Sequence, residues 1–181
     1  MIALERTGLL LKSDPKLPSL TTLVAGEPVR GSWWGHPRAH EIYAEAVRLS
    51  GHPDVLLVKL VAGKDTFVHR RLWSHVYAIA TAGESWQSKK LSAEAQELLR
   101  RVSREQSVET SGKPAKELET RLLAHGEQFH AAGGEHRKHL ETWEHWSGCT
   151  GFVPAPIPVA EAKRILEAAL PGAAFPWLQP Y

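Results

Sequence analysis

The span from His36 to Ala82 sets one order without a linker: a helix-period segment, an alternating pair of short runs around a tight turn, and a second helix-period segment. In HPRAHEIYAEAVRLSG the apolar residues Ala39, Ile42, Tyr43, Ala46 and Val47 recur at three- and four-residue steps, which predicts an amphipathic helix. Pro37 suits its first turn and Gly51 its end, while Arg38, Glu41, Glu45 and Arg48 fall on the polar face. The β-branched and apolar run Val55 to Val61 then turns at Ala62-Gly63-Lys64-Asp65 into Thr66, Phe67 and Val68, as a hairpin does. Along such a strand Val55, Leu57 and Lys59 face one way and Leu56, Val58 and Leu60 the other. Leu72, Trp73, Val76, Tyr77 and Ala80 restore the helical period as far as Gly83.

The flanks are less regular. Pro15, Pro18, Gly26, Pro28, Gly31 and Gly35 punctuate the first 35 residues, which read as a lead-in with one short helix at Ser19 to Ala25. Beyond Gly83, ESWQSKK reads as a polar connector. LSAEAQELLRRV predicts a helix capped by Ser92, with Ala95, Leu98, Leu99 and Val102 as its stripe. EQSVETSGK reads as a loop and PAKELETRLLAHG as a helix stopped by Gly126. In EQFHAAGGEHRKHLETWEHW the Gly133-Gly134 pair favours a second hairpin over a helix, since each glycine would cost a helix about 1 kcal/mol. After the Pro-rich GFVPAPIP, VAEAKRILEAALPG gives a final amphipathic helix through Val159, Ala162, Leu166 and Leu170. AFPWLQPY reads as a docked, non-regular terminus.

The 181 residues, 43% of them hydrophobic, suffice for one good core or two small ones. The formal charge of +2 is too small to announce a nucleic-acid partner by itself. Its distribution is uneven. Pro28 to His75 carries seven Lys/Arg against four Asp/Glu and Trp86 to Arg104 five against two, whereas Lys113 to His145 carries five against six. The single Cys149 rules out an intramolecular disulfide and any cysteine-based zinc knuckle. No apolar run approaches membrane-spanning length and MIALERTGLLLK lacks signal-peptide character, so a cytoplasmic, non-membrane protein is expected.

Helices followed by a hairpin resemble a winged helix, a common nucleic-acid reader, and both halves of the chain share that order. The expected fold is α+β: two winged-helix-like units, 1–83 and 84–181, each with a β-hairpin wing, and a C-terminal helix. The pieces LPSLTTLVAGEPVRGSWWGHP and KELETRLLAHGEQFHAAGGEH resemble sequences among bacterial winged-helix proteins related to the AlkZ and YcaQ DNA glycosylases. The resemblance implies tandem winged helices around a concave DNA-binding face and a place in DNA repair. The glutamine motif of that family, Gln-apolar-Gln or Gln-apolar-Asp, has its nearest counterpart at Gln128-Phe129-His130, where the third residue departs from the pattern.

Candidate nucleic-acid-binding residues follow from chemistry. GSWWGHPRAH, with Arg30 just before it, offers Trp33 or Trp34 for stacking and Arg30, His36 and Arg38 for phosphate or a base edge. Alternatively one Trp plugs the core and the other covers an interface. HRRLW supplies His69, Arg70 and Arg71, and Lys59 and Lys64 extend that strip, as wing cations that meet phosphate. His130 and His136 would stand opposite one another in the second wing. Among the five histidines between His125 and His145 a metal or acid-base role is also open, although no known ligand spacing appears and no metal or cofactor is implied. The leading expectation is a protein that binds duplex DNA. The alternatives are a glycosylase-like hydrolase built from Trp33, Trp34, His36 and a polar group of the second wing, and a protein-interaction module, a homo-oligomer included, that buries its tryptophans.

Overall fold

A computed structural model describes residues 1–130 and 136–179, and leaves the side chains of His130 and His136 outside that description. The expected lead-in is structured. Helix α1 (Ile2–Thr7) ends on Gly8, whose φ of 82° lets its N–H reach the Leu4 carbonyl. The chain then enters β1 (Leu9–Leu11), which pairs antiparallel with a strand more than fifty residues later, Leu10 opposite Phe67. Helix α2 (Leu20–Ala25) starts at Ser19, whose hydroxyl accepts the Thr22 N–H. A 3₁₀ turn at Trp33–Gly35 leads to α3 (Ala39–Ser50), which begins two residues beyond Pro37 because His36 Nδ1 takes the Arg38 N–H and holds this segment outside the helix.

The hairpin β2 (Val55–Val61) and β3 (Lys64–His69) turns on two residues, Ala62 and Gly63, with φ of 49° and 66° as a right-twisted hairpin requires. Lys64 and Asp65, expected in the turn, therefore belong to β3. Strand alternation holds: Leu56, Val58 and Leu60 enter the main core, while Val55 and Leu57 pack on the opposite side with Phe67. Helix α4 (Trp73–Ala80) closes the first unit.

The second half departs from expectation at three places. ESWQSKK contains α5 (Ser85–Ser88), which buries Trp86 and Gln87 and is held by a reciprocal capping box between Glu84 and Gln87. After α6 (Ala93–Glu105), capped by Ser92 as predicted, the expected loop forms β4 (Ser107–Thr110). Helix α7 (Gly112–Thr120) ends before Gly126, which lies inside β5 (His125–His130). A Cβ on Gly126 would stand 2.6 Å from Glu119 Oε1 and 2.8 Å from Leu140 Cδ2, so a close approach, not a helix stop, requires the glycine there. Strand β5 pairs with β6 (His136–Glu141) as the second hairpin, with the Gly133-Gly134 turn outside the described residues. Helices α8 (Trp143–Thr150) and α9 (Val159–Ala169) and a 3₁₀ turn at Pro176–Leu178 complete the chain.

The fold is α+β with two small antiparallel sheets, ordered β1-β3-β2 and β4-β6-β5. Both halves run helix, strand, helical segment and hairpin into a helix that starts on a tryptophan, Trp73 or Trp143, with α2 and α3 before the first hairpin and α7 alone before the second. Both indoles reach back to the chain: Trp73 Nε1 donates to the Val68 carbonyl at 3.0 Å and Trp143 Nε1 to the Leu122 carbonyl at 2.8 Å. The halves share their main core, which runs from Leu9 to Phe175 and stacks Trp73, Trp146 and Phe152 edge to face near its centre. The tip of the first hairpin is held from both sides. The Ala62 N–H donates to the Ala174 carbonyl at 2.9 Å, and Gly63 lies against Thr120 of α7. Among the described residues no helix is long and apolar enough to cross a membrane.

Candidate functional site

Where the first hairpin meets α7, the chain leaves a cleft of about 560 Å³. Four lysines converge there from four elements. Lys12 follows β1, Lys59 and Lys64 stand on the two hairpin strands, and Lys116 comes from α7. Two carboxylates organise them. Asp65, opposite Lys59 in the hairpin register, accepts from Lys59 Nζ at 2.5 Å and lies 3.7 Å from Lys12 Nζ. Asp14 accepts the N–H groups of Lys16 and Leu17 at 2.8 and 2.9 Å through one oxygen and Lys64 Nζ at 2.6 Å through the other. Burial alone would push the Asp14 carboxyl up, but the Lys64 ammonium and the two backbone donors outweigh it and hold the group below the ordinary aspartate range. Asp65 is likewise held down, burial being outweighed by Lys59 with help from Lys12 and Lys138. Four lysines thus outnumber the two ionised aspartates, and among the described residues Lys116 has no hydrogen bond or ion pair.

The other wall is aromatic. Trp33 is 8% exposed and packs with Val29 and Ile42 in a small core of its own, so it serves as the plug. Trp34 is 64% exposed and stacks on Trp33, ring centroids 4.1 Å apart at 24°, with the Tyr43 ring of α3 at 5.8 Å and tilted by 40°. One indole is therefore fixed and the second is held against it with most of its surface in solvent.

The other expected site residues divide among separate places. Arg30 is exposed beside the cleft, between the lining residues Val29 and Gly31. His36 caps the segment before α3 and stands 3.8 Å from Glu27. Arg38 is spent on Glu41 at 2.5 Å, and Arg48 pairs with Glu45 at 2.7 Å, which leaves α3 no cationic surplus for a groove. His69, Arg70 and Arg71 lie at the far end of β3, five residues or roughly 17 Å from Lys64. Arg70 sits 3.6 Å from Asp54 and over the Trp73 ring at 5.3 Å, whereas Arg71 donates to the carbonyls of Glu5 and Arg6 at the end of α1. His130 and His136 are register partners across the second hairpin, and their side chains are outside the described residues. Of the other histidines of that region, His139 bonds Ser107, whereas His125 and His145 meet at Glu141, with Cys149 beside His145.

The cleft thus keeps Trp33, Trp34, Lys59 and Lys64 from the expected residues and adds Lys12 and Lys116. Lys59 and Lys64 follow from the hairpin pattern, and its register places Lys59 opposite Asp65. Lys12 and Lys116 arrive through contacts distant in sequence and carry no local signal. Neither a protein-family model nor a curated protein nor a solved structure matches the chain.

Proposed function

We propose that the chain is a DNA-binding protein of two winged-helix-like units that engages a strand through the lysine cleft and the Trp34 face. The observation that carries this reading is a stacked, solvent-facing indole at the wall of a cleft with a surplus of ammonium groups. An indole face accepts any base and clustered lysines attract phosphate, the two components of single-strand binding. The repeated scheme of helices leading to a hairpin supports the winged-helix part of the reading. The resemblance to the AlkZ and YcaQ glycosylases supports a link to DNA repair. A hairpin tip clamped by α7 and Ala174 and a charge-balanced α3 argue for the cleft over groove insertion by either element. An unstacked nucleotide in otherwise duplex DNA is therefore the preferred occupant.

Fluorescence anisotropy with labelled duplex, gapped duplex and single-stranded oligonucleotides over a salt series tests this. Gapped and single-stranded forms should bind more tightly than intact duplex. Trp34→Ala should cost about 1–3 kcal/mol, and Lys116→Gln should flatten the slope of log K against log salt by about 0.7 on single strands. Unchanged affinity and slope in both variants would remove the cleft from consideration.

A second reading rests on one specific observation: Trp34, Tyr43 and Val47 form an exposed apolar strip along α3, each at least half exposed. Such a strip suits a protein partner or a second copy of the chain. Dimerisation abolished by Val47→Glu, with oligonucleotide binding intact, would favour it.

A further inference from the structure

At the junction of β6 and α8 three side chains of different chemistry point at one spot. His145 Nε2 lies 3.8 Å from Glu141 Oε2 and 3.4 Å from Cys149 Sγ, and the three donor atoms are all within 4.8 Å of one another. The chain produces this by spacing. Residues 141, 145 and 149 are four apart, so the last two share a helix face and Glu141, just before the Thr142 cap, reaches down onto the first turn. Trp143 and Trp146 take the buried face of α8, which leaves the 145/149 face to solvent.

We propose that Glu141, His145 and Cys149 bind one transition-metal dication of the zinc class. A tetrahedral zinc with bonds of about 2.3 Å to sulfur and about 2.0–2.1 Å to nitrogen and oxygen holds its ligand atoms roughly 3.3–3.6 Å apart. The His145–Cys149 separation of 3.4 Å falls in that range and the His145–Glu141 separation of 3.8 Å lies just above it, so rotations that draw the carboxylate inward complete the geometry. A thiolate and an imidazole select zinc, cobalt or nickel over magnesium or calcium, and the thiolate and carboxylate together neutralise the dication. The site also has an outer partner. His125, 10% exposed in its side chain, bonds Glu141 Oε1 through Nδ1 at 3.0 Å and thereby fixes the carboxylate with its other oxygen toward His145 and Cys149. Three protein ligands on a solvent-facing surface leave the fourth position for water or an external donor. As the metal–sulfur bond forms, the Cys149 thiol gives its proton to solvent, so binding strengthens as pH rises.

Cobalt(II) titration of the full chain, kept reduced with a phosphine, tests this directly. The expected result is a thiolate-to-cobalt charge-transfer band that saturates at one equivalent and disappears on addition of zinc. Cys149→Ser should abolish the band, and His145→Gln should weaken cobalt binding at least tenfold. His125→Gln, which leaves all three ligands in place, should weaken it roughly 10- to 100-fold. In the parent, stoichiometric zinc should slow alkylation of Cys149, a readout that needs no variant. The absence of a charge-transfer band at saturating cobalt would overturn the assignment. So would one-equivalent zinc binding that survives in Cys149→Ser, since that would assign the metal to other histidines.

Discussion

Two tryptophans in equivalent places of the two halves make different demands on the backbone, and replacing each with phenylalanine should expose the difference. Trp73 and Trp143 are 4% and 3% exposed, belong to the same core and each donate an indole hydrogen bond to a backbone carbonyl. The loss of the larger ring should cost roughly 1–2 kcal/mol in either variant, from apolar area and residual cavity together. The carbonyls differ. Val68 belongs to a central strand that pairs with Leu9 on one side and Leu56 on the other, so the ladder supplies its carbonyl with a partner when the indole is gone. Leu122 is 1% exposed, lies outside any strand and has a φ of 54°, a left-handed conformation that a leucine adopts at a cost. Its carbonyl accepts from Trp143, and Trp143→Phe strands it, adding about 1–3 kcal/mol. Trp143→Phe should therefore destabilise by about 2–5 kcal/mol and Trp73→Phe by about 1–2 kcal/mol. Urea denaturation followed by circular dichroism, with unchanged m values, measures both. Costs within about 0.5 kcal/mol of each other would refute the argument that the Leu122 carbonyl depends on the indole.

Asp14 gives a pH prediction. Its carboxyl titrates below its unfolded value of about 3.9, so its contribution to stability is complete above that pH and is lost as pH falls through the depressed folded value. The stability deficit of Asp14→Asn relative to the parent should thus be constant from neutrality down to about pH 4 and shrink below it; a deficit independent of pH down to pH 2 would contradict the Lys64 pairing. Gly126→Ala should destabilise by about 1–3 kcal/mol, because the new methyl meets the Glu119 carboxylate and Leu140. A neutral result in thermal melts would mean that β5 can shift away from α7.

The order of helices and hairpins was legible because it is written in local periods. The run Val55 to Val61 alternates, α3 and α9 carry apolar stripes at helical steps, and Ser92 acts as the cap it resembles. What escaped was short or non-local. Strand β1 is three leucines buried on every side, so it shows no alternation, and it pairs with residues more than fifty positions away. In β4 the only apolar residue is Val108. Gln87 is buried in what looks like a polar connector because its amide donates to the Ala80 carbonyl, a partner that no period announces. The site follows the same division. The two tryptophans stood out by density, whereas Arg38, Arg70 and Arg71, chosen by charge, proved to be engaged in local ion pairs or on the carbonyls that end α1. Lys12 and Lys116 reach the cleft only through tertiary contacts.

The strand order β1-β3-β2 also has a consequence in time. The β2–β3 hairpin closes over a two-residue turn, within microseconds once both strands exist. Strand β1 has no ladder to join until that hairpin is made, because its partner is β3 and not β2. During synthesis at roughly 5–20 residues per second, the Leu9–Leu11 triplet therefore waits several seconds after it is made before residue 69 follows. The second half repeats the delay, as β4 must wait for β6. In each half the first strand made is the last to be paired, and the exposed leucines of β1 are the segment of the nascent chain most in need of shielding.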